Sequence, residues 1–103
     1  MQGKLFYQLF RKRGFSETMN VLNSFENNEA VQKEFFKNLS KIGSYPNAFF
    51  RVKDELIEYG IIAYKLNEKN QKCIFLTEKG KIIWNHLLEV EEILKKDLSG
   101  KNK

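Results

Sequence analysis

Two side chains with strong hydrogen-bonding ability stand one helical turn apart, just after the single proline of this chain. Asn47 carries an amide and Arg51 a guanidinium group, and residues four apart share one face of a helix. An amide can form two hydrogen bonds with adenine, and a guanidinium can do the same with guanine or hold a phosphate. The pair therefore indicates nucleic-acid recognition. The alternative is that Ser44 and Asn47 only cap a helix and that Arg51 is solvated.

Lysines accompany this pair at positions from which they can reach phosphate groups. Lys37 and Lys41 follow Lys33 at spacings of four, which places all three on one side of a predicted helix. Each lysine that contacts a phosphate releases roughly one counterion, so binding through them would depend steeply on salt. The alternative is a solvated surface. The remaining candidates lie on or beside a predicted turn: Lys65, Lys69 and Lys72.

Catalytic and metal-binding chemistry finds little support. His86 is the only histidine and Cys73 the only cysteine, so histidines and cysteines together cannot supply a zinc site. His86 and Glu89 stand three residues apart, which is common on helices. The chain has no phosphate-cradling glycine loop and no nucleophile elbow. We expect no enzyme activity, no metal and no cofactor.

The length and charge fit one small domain with one basic side. The chain has 103 residues, of which 42% are hydrophobic, enough for a single core. Residues 1–53 carry nine Lys or Arg against four acids, and residues 54–103 carry nine against nine. This asymmetry fits a polyanion that meets one face of the protein. No apolar run is long enough to span a bilayer and no signal peptide is recognisable, so we expect a cytoplasmic protein without a membrane partner.

Apolar spacing predicts helices in the first half and a hairpin in the second. Phe49, Val52 and Leu56 recur at spacings of three and four and should face the core. The gap from Gly43 to Pro46 is short, so the helices on either side must cross steeply. The predicted helices are one ending before Gly14, one from the N-cap Ser16 to Phe25, one over residues 30–42, one from Pro46 to Gly60, and one from the N-cap Thr77 to about Leu98; the predicted strands are 61–66 and 72–76.

The last predicted helix carries more apolar surface than one small domain can cover. Ile83, Leu87, Val90 and Leu94 repeat at spacings of four, three and four, with Trp84 as the expected anchor. We predict a two-fold dimer built on this helix, and the alternative is packing against the first helix of the same chain. The dimerisation residues are Ile83, Trp84, Leu87, Val90 and Leu94, with Phe6 and Leu9 from the first helix; the domain is 1–98, with the dimerisation helix at 78–98 and a flexible tail at 99–103.

Several of these residues match a known pattern. FFRVKDELIEYGII, then the hairpin, then IFLTEKGKIIW resembles winged helix-turn-helix transcription regulators of the MarR, PadR and HxlR kind over roughly residues 11–95. The matching features are Leu56 four residues before Gly60, the apolar pair after it, and the LTEKG element. Many relatives have a leucine where this chain has Lys53. No ligand-binding extension is present, so no small-molecule ligand is expected.

The resemblance implies a mostly α-helical fold with a two-stranded β-hairpin, in a prokaryotic transcription regulator that binds double-stranded DNA sequence-specifically as a homodimer. The helix that begins at Pro46 would enter the major groove, and the hairpin would lie along the backbone or minor groove. Phe50 stays open between a core role, a thymine-methyl contact and a dimer contact. The alternatives are a plasmid partition or replication protein, or a protein-interaction module that docks through exposed aromatics. The implied DNA contacts are Ser44, Tyr45, Asn47, Ala48, Arg51, Lys53, Lys65, Lys69, Lys72, Lys37 and Lys41.

Overall fold

The structure is a computed structural model that describes residues 8–43 and 46–101, with the side chains of the last helix described as far as Lys96. In these ranges the chain is mostly helical, as predicted, with one small antiparallel sheet of three strands rather than two. A single 3-10 turn, Glu26–Asn28, precedes the first strand. The elements are α1 (Arg13–Asn23), β1 (Glu29–Val31), α2 (Gln32–Lys41), α3 (Pro46–Glu58), β2 (Ile62–Leu66), β3 (Lys72–Leu76) and α4 (Glu78–Lys101).

The additional strand is β1, a segment that the apolar spacing assigned to a helix. It pairs antiparallel with β3, with Ala30 opposite Ile74, and β2 pairs with the other edge of β3. Asn27 and Asn28 have positive φ angles of 61° and 56°, which asparagine adopts more readily than most residues. These two residues turn the chain into the sheet, so α2 begins only at Gln32.

Helix α1 begins before Ser16, which is therefore not its N-cap. The Ser16 hydroxyl lies inside the helix, 3.5 Å from the carbonyl oxygen of Arg13. Gly14 is buried in the first turn, where a Cβ atom would stand 2.1 Å from the carbonyl oxygen of Ala48 in α3. Only glycine permits this approach, and the contact sets how closely α3 packs on α1.

The junctions that connect α3, the hairpin and α4 form as predicted. Gly60 follows α3 with a φ angle of 74°. Thr77 caps α4, because its hydroxyl oxygen accepts a hydrogen bond from the backbone N–H of Gly80 at 3.0 Å. A Cβ atom on Gly80 would stand 2.2 Å from the carbonyl oxygen of Ile61. The glycine of the LTEKG element therefore lets the start of α4 pack against the backbone that leaves α3.

The core draws on α1, α2, α3 and the inner face of the sheet, with Trp84 from α4. Phe49, Val52 and Leu56 are fully buried, as their spacing predicted. The other large, fully buried side chains are Phe15, Met19, Leu22, Phe35, Leu39, Ile62 and Ile74.

Helix α4 includes residues 99–101, which the sequence assigned to a flexible tail. In the described ranges no helix has the length and apolar character needed to cross a bilayer.

Candidate nucleic-acid interface

The outward face of α3 is the side opposite its three core residues. Asn47 and Arg51 both lie on this face and are exposed. Neither side chain forms a hydrogen bond or ion pair with any residue in the described ranges. The two side chains that the sequence singled out for base contact are thus adjacent, near the start of the helix, and available to a partner.

Two other residues predicted for this face lie to its sides. Ala48 is half-buried where its carbonyl oxygen contacts Gly14. Lys53 is half-buried on the opposite flank, with its Nζ atom 5.8 Å from the centroid of the Phe50 ring. The outward face is therefore narrower than predicted. Two predicted contacts lie outside the described residues: Ser44 and Tyr45.

The charge on the outward face of α3 changes from positive to negative along the helix. Beyond Arg51 its exposed residues are Asp54 and Glu58, whose carboxylates repel phosphate. The pKa of Tyr64 is raised above its ordinary value of 10.0, chiefly by burial of the hydroxyl and additionally by the negative charge of Asp54. The N-terminal half of α3 is thus suited to a polyanion and the C-terminal half is not.

A cleft of about 660 Å³ separates the start of α1 from the outward face of α3. Lys12, at its edge, forms an ion pair with Glu55 of α3, and Arg13 pairs with Glu17 at 2.7 Å. Arg51 lines the other wall. The partner of Lys12 lies 43 residues away along the chain, so no sequence pattern signalled this pair. Among the three cations that line the cleft, Arg51 is the one that forms no ion pair with a carboxylate in the described ranges.

Helix α2 presents a row of lysines to solvent. Lys33, Lys37 and Lys41 are exposed, while Phe35 and Leu39 on the other side are buried in the core. The spacing of four therefore places the lysines on one side, as predicted. None of the three forms an ion pair with a carboxylate in residues 8–43 or 46–96.

The turn of the hairpin is closed by hydrogen bonds, and two of its three lysines contact other side chains of the chain. Asn67 closes the turn, since its side-chain oxygen accepts the backbone N–H of Lys69 at 2.8 Å. Lys65 forms an ion pair with Glu29 of β1 at 2.8 Å. The Nζ atom of Lys72 lies 4.5 Å from the centroid of a tyrosine ring on β2. Of the three lysines predicted to contact phosphate, the exposed Lys69 at the turn is the one whose side chain contacts no carboxylate or aromatic ring in the described ranges.

Four of the predicted dimerisation residues are covered within the chain itself. Trp84 and Leu9 are each only 7% exposed and belong to the core. Ile83 and Leu87 are half-buried against that core. Trp84 is therefore not an exposed anchor, and this part of the stripe belongs to the core of the chain or packs against it. A further predicted residue, Phe6, lies outside the described ranges.

The rest of the stripe is uncovered. Val90 is 52% exposed and Leu94 58% exposed, one and two turns beyond the covered part of α4. They line a groove of about 650 Å³ together with Phe10 and Trp84. This part of the apolar side of α4 is thus exposed, and no residue in the described ranges covers it.

Comparisons with known proteins give no match to a family model, to a curated protein or to a solved structure. The resemblance to winged helix-turn-helix regulators is carried by the residues of this chain alone. The features of this chain that bear on its function are the order of its elements and the chemistry of the exposed face of α3.

Proposed function

We propose that this chain is a winged helix-turn-helix protein that binds double-stranded DNA. In this proposal α2 and α3 are the helix-turn-helix pair, joined by a four-residue connection, and the β2–β3 hairpin is the wing. Three features support it: the order of the elements, the short connection between α2 and α3, and the antiparallel order β1-β3-β2 behind them.

One observation carries the proposal: the only two exposed amide and guanidinium side chains on α3 share the N-terminal half of its outward face and are bonded to no described residue. Residues near the start of a recognition helix are the ones that reach base edges in the major groove. Asn47 would pair with adenine, and Arg51 with guanine or a phosphate. Each bidentate pair is worth about 1–3 kcal/mol of discrimination against a wrong base.

Lysines outside α3 would supply the affinity that does not depend on sequence. The Lys33, Lys37 and Lys41 row lies on the helix that precedes α3, and Lys69 stands at the tip of the hairpin. These positions suit contacts to the DNA backbone on two sides of the groove that α3 would occupy. Lys65 would stabilise the hairpin through its ion pair with Glu29 instead.

The biological role that we propose is transcription regulation by a homodimer. The uncovered stripe around Val90 and Leu94 would pair with its counterpart in a second copy. Two-fold symmetry would then place two α3 helices about one DNA turn apart, on a palindromic site. Because no described feature suggests a ligand chemistry, regulation in this proposal depends on DNA occupancy alone.

The first experiment is binding to random duplex DNA and to the DNA that flanks its own gene, titrated across salt concentration. Tight binding that weakens steeply with salt and favours the flanking DNA is the expected result. Equal binding to both, with a footprint that grows with protein concentration, would favour a partition or replication role. No binding at low salt would refute the proposal.

Variants test the assignment of residues. Arg51→Ala should lose more affinity for a selected site than for random DNA, since it would remove a base contact. Lys69→Ala should lose similar affinity for both. Lys95→Ala is the matched control, because Lys95 lies on α4 and pairs with Glu91 at 3.6 Å. If Arg51→Ala weakens both DNAs equally, Arg51 holds a phosphate and does not read a base.

A protein-docking role is the second candidate, and the exposed apolar residues of the helix pair favour it. Phe50 is 49% exposed, Ile57 40% and Ile42 51%. A winged helix domain that docks a protein would use such residues. Binding to that protein would change little with salt, and no duplex would shift with this chain.

A further inference from the structure

Phe50 is an exposed aromatic ring held firmly in place. It is 49% exposed on α3, yet its ring centroid lies 5.7 Å from the ring of Phe36 on α2 and 5.7 Å from the ring of Phe49 beneath it. Phe49 is fully buried and packs on Phe35 with a centroid distance of 5.0 Å. The outer ring is thus the exposed end of an aromatic stack rooted in the core, and it has little freedom to turn away from solvent.

The α3 residues near this ring include two cations, Arg51 and Lys53, and one carboxylate, Asp54, four residues further along the helix. Arg51 is its neighbour in sequence, and the Nζ atom of Lys53 lies 5.8 Å from the ring centroid. The lysine row of α2 stands on the helix that also supplies Phe36. An exposed apolar side chain with cations beside it matches a partner that is anionic overall but has apolar groups at defined positions. Duplex DNA meets this description, because its major groove carries thymine 5-methyl groups between two phosphate chains.

The position of Phe50 on α3 suits that groove. Phe50 follows Asn47 by three residues, so the two side chains are neighbours on the helix surface. Three residues rise about 4.5 Å along a helix, which is close to the spacing of about 3.4 Å between successive base pairs. A helix that runs along the groove with Asn47 on one base pair can therefore present Phe50 to a neighbouring one.

We infer that Phe50 reads thymine, through contact of its ring with the 5-methyl group in the major groove, and that it is a specificity residue of this protein. The inference rests on the proposed DNA-binding function and adds the base that this position selects. The preferred site should contain a thymine next to the base pair that Asn47 contacts.

The test compares thymine with uracil, which lacks only the methyl group. Duplexes enriched by the wild-type protein from a random pool are amplified with either dTTP or dUTP, and both products are titrated. Wild type should bind the thymine duplex about fourfold more tightly for each methyl group contacted, as expected for one buried carbon group. Phe50→Ala should bind the two duplexes equally. Ile57→Ala, which removes an exposed apolar side chain about two turns further from Asn47, should keep the wild-type preference.

The outcomes separate this inference from the proposed function. Equal binding of both duplexes by wild type would overturn the thymine contact and leave DNA binding intact. A preference that Phe50→Ala retains would also overturn it, because the methyl group would then be read elsewhere. Absence of any duplex binding by wild type would overturn both. The wild-type comparison needs no variant, so it stands even if Phe50→Ala unfolds.

Discussion

Two threonines of this chain have opposite hydrogen-bonding circumstances. Thr18 is fully buried in α1, and its hydroxyl has no hydrogen-bond partner in the described ranges. Thr77 caps α4, with its hydroxyl oxygen accepting the Gly80 N–H at 3.0 Å and lying within reach of carbonyl oxygens at the end of α3. The same chemical change should therefore have opposite effects at the two sites.

We expect Thr18→Val to raise the free energy of unfolding by about 1 kcal/mol, because it replaces an unsatisfied buried hydroxyl with a methyl group of similar size. Thr77→Val should lower it by about 1–2 kcal/mol, because the N-cap hydrogen bond is lost. Urea denaturation of the two variants beside wild type measures both. A loss of stability in Thr18→Val would show that its hydroxyl has a partner, such as a bound water.

Tyr64 should give the protein an alkaline weakness. Its pKa is raised above 10.0 in the folded protein by burial and by Asp54, whereas in the unfolded chain it titrates near 10.0. Above that pH the unfolded chain loses this proton more readily, so stability falls as the pH rises through the folded-state pKa. Tyr64→Phe should be more stable than wild type near pH 7, because it removes a buried hydroxyl that has no hydrogen-bond partner in the described ranges. It should also lose less stability than wild type as the pH rises above 10.0. Equal losses in both proteins would contradict a raised pKa at this site.

At the scale of the elements, the change from positive to negative charge along α3 predicts how deeply the helix would enter DNA in the proposed complex. If only its N-terminal half lies in the groove, Asp54 is close to the phosphates and Glu58, at the end of the helix, is not. Asp54→Asn should then raise affinity for random duplex about two- to fivefold at low salt, while Glu58→Gln should change it less than twofold. Titration of both variants across salt measures this. An equal gain from both would mean that the whole helix lies along the DNA.

Local signals predicted some elements well, while others depend on distant residues. Pro46, Gly60 and Thr77 each impose a backbone or capping requirement on their own neighbours, so the limits of α3 and the start of α4 could be read from the sequence. Strand β1 is three residues long, too short to show a periodicity, and exists because Ala30 meets Ile74 in β3. A pattern that includes β1 becomes visible only when the fold brings distant segments together.

The same distinction holds for the candidate interface. Helical spacing correctly placed Asn47 and Arg51 outward and Phe49 inward. The winged-helix resemblance placed Lys65 of the hairpin among the phosphate contacts, yet Lys65 pairs with a glutamate 36 residues away. Ion pairs form between residues that are distant in sequence, and spacing does not reveal them. The sequence therefore identified the outward face of α3 better than it identified the cations that are free of ion pairs around it.

At the scale of the whole molecule, helix α4 is the longest of the described elements. Its 24 residues extend about 36 Å at 1.5 Å per residue. Along its apolar stripe Trp84 is buried, Ile83 and Leu87 are half-buried, and Val90 and Leu94 are exposed. Burying apolar area contributes about 25 cal/mol per Å², so leaving such a stripe in water forgoes a large stabilisation. A second copy of the chain, with the same stripe related by a two-fold axis, can cover it.

If the proposed dimer forms, Leu94→Glu should yield a monomer, because it would place two carboxylates inside the proposed apolar contact. Leu66→Glu is the matched control: Leu66 is 65% exposed but lies on the hairpin, away from α4, and its oligomeric state should equal that of wild type. Sedimentation equilibrium measures both. The monomeric variant should also lose at least tenfold in affinity for a palindromic site while retaining its weaker binding to a single half-site, since each half-site needs only one copy of α3. A wild-type protein that sediments as a monomer at high concentration would separate DNA binding from dimerisation, and the exposed stripe on α4 would then require a different partner.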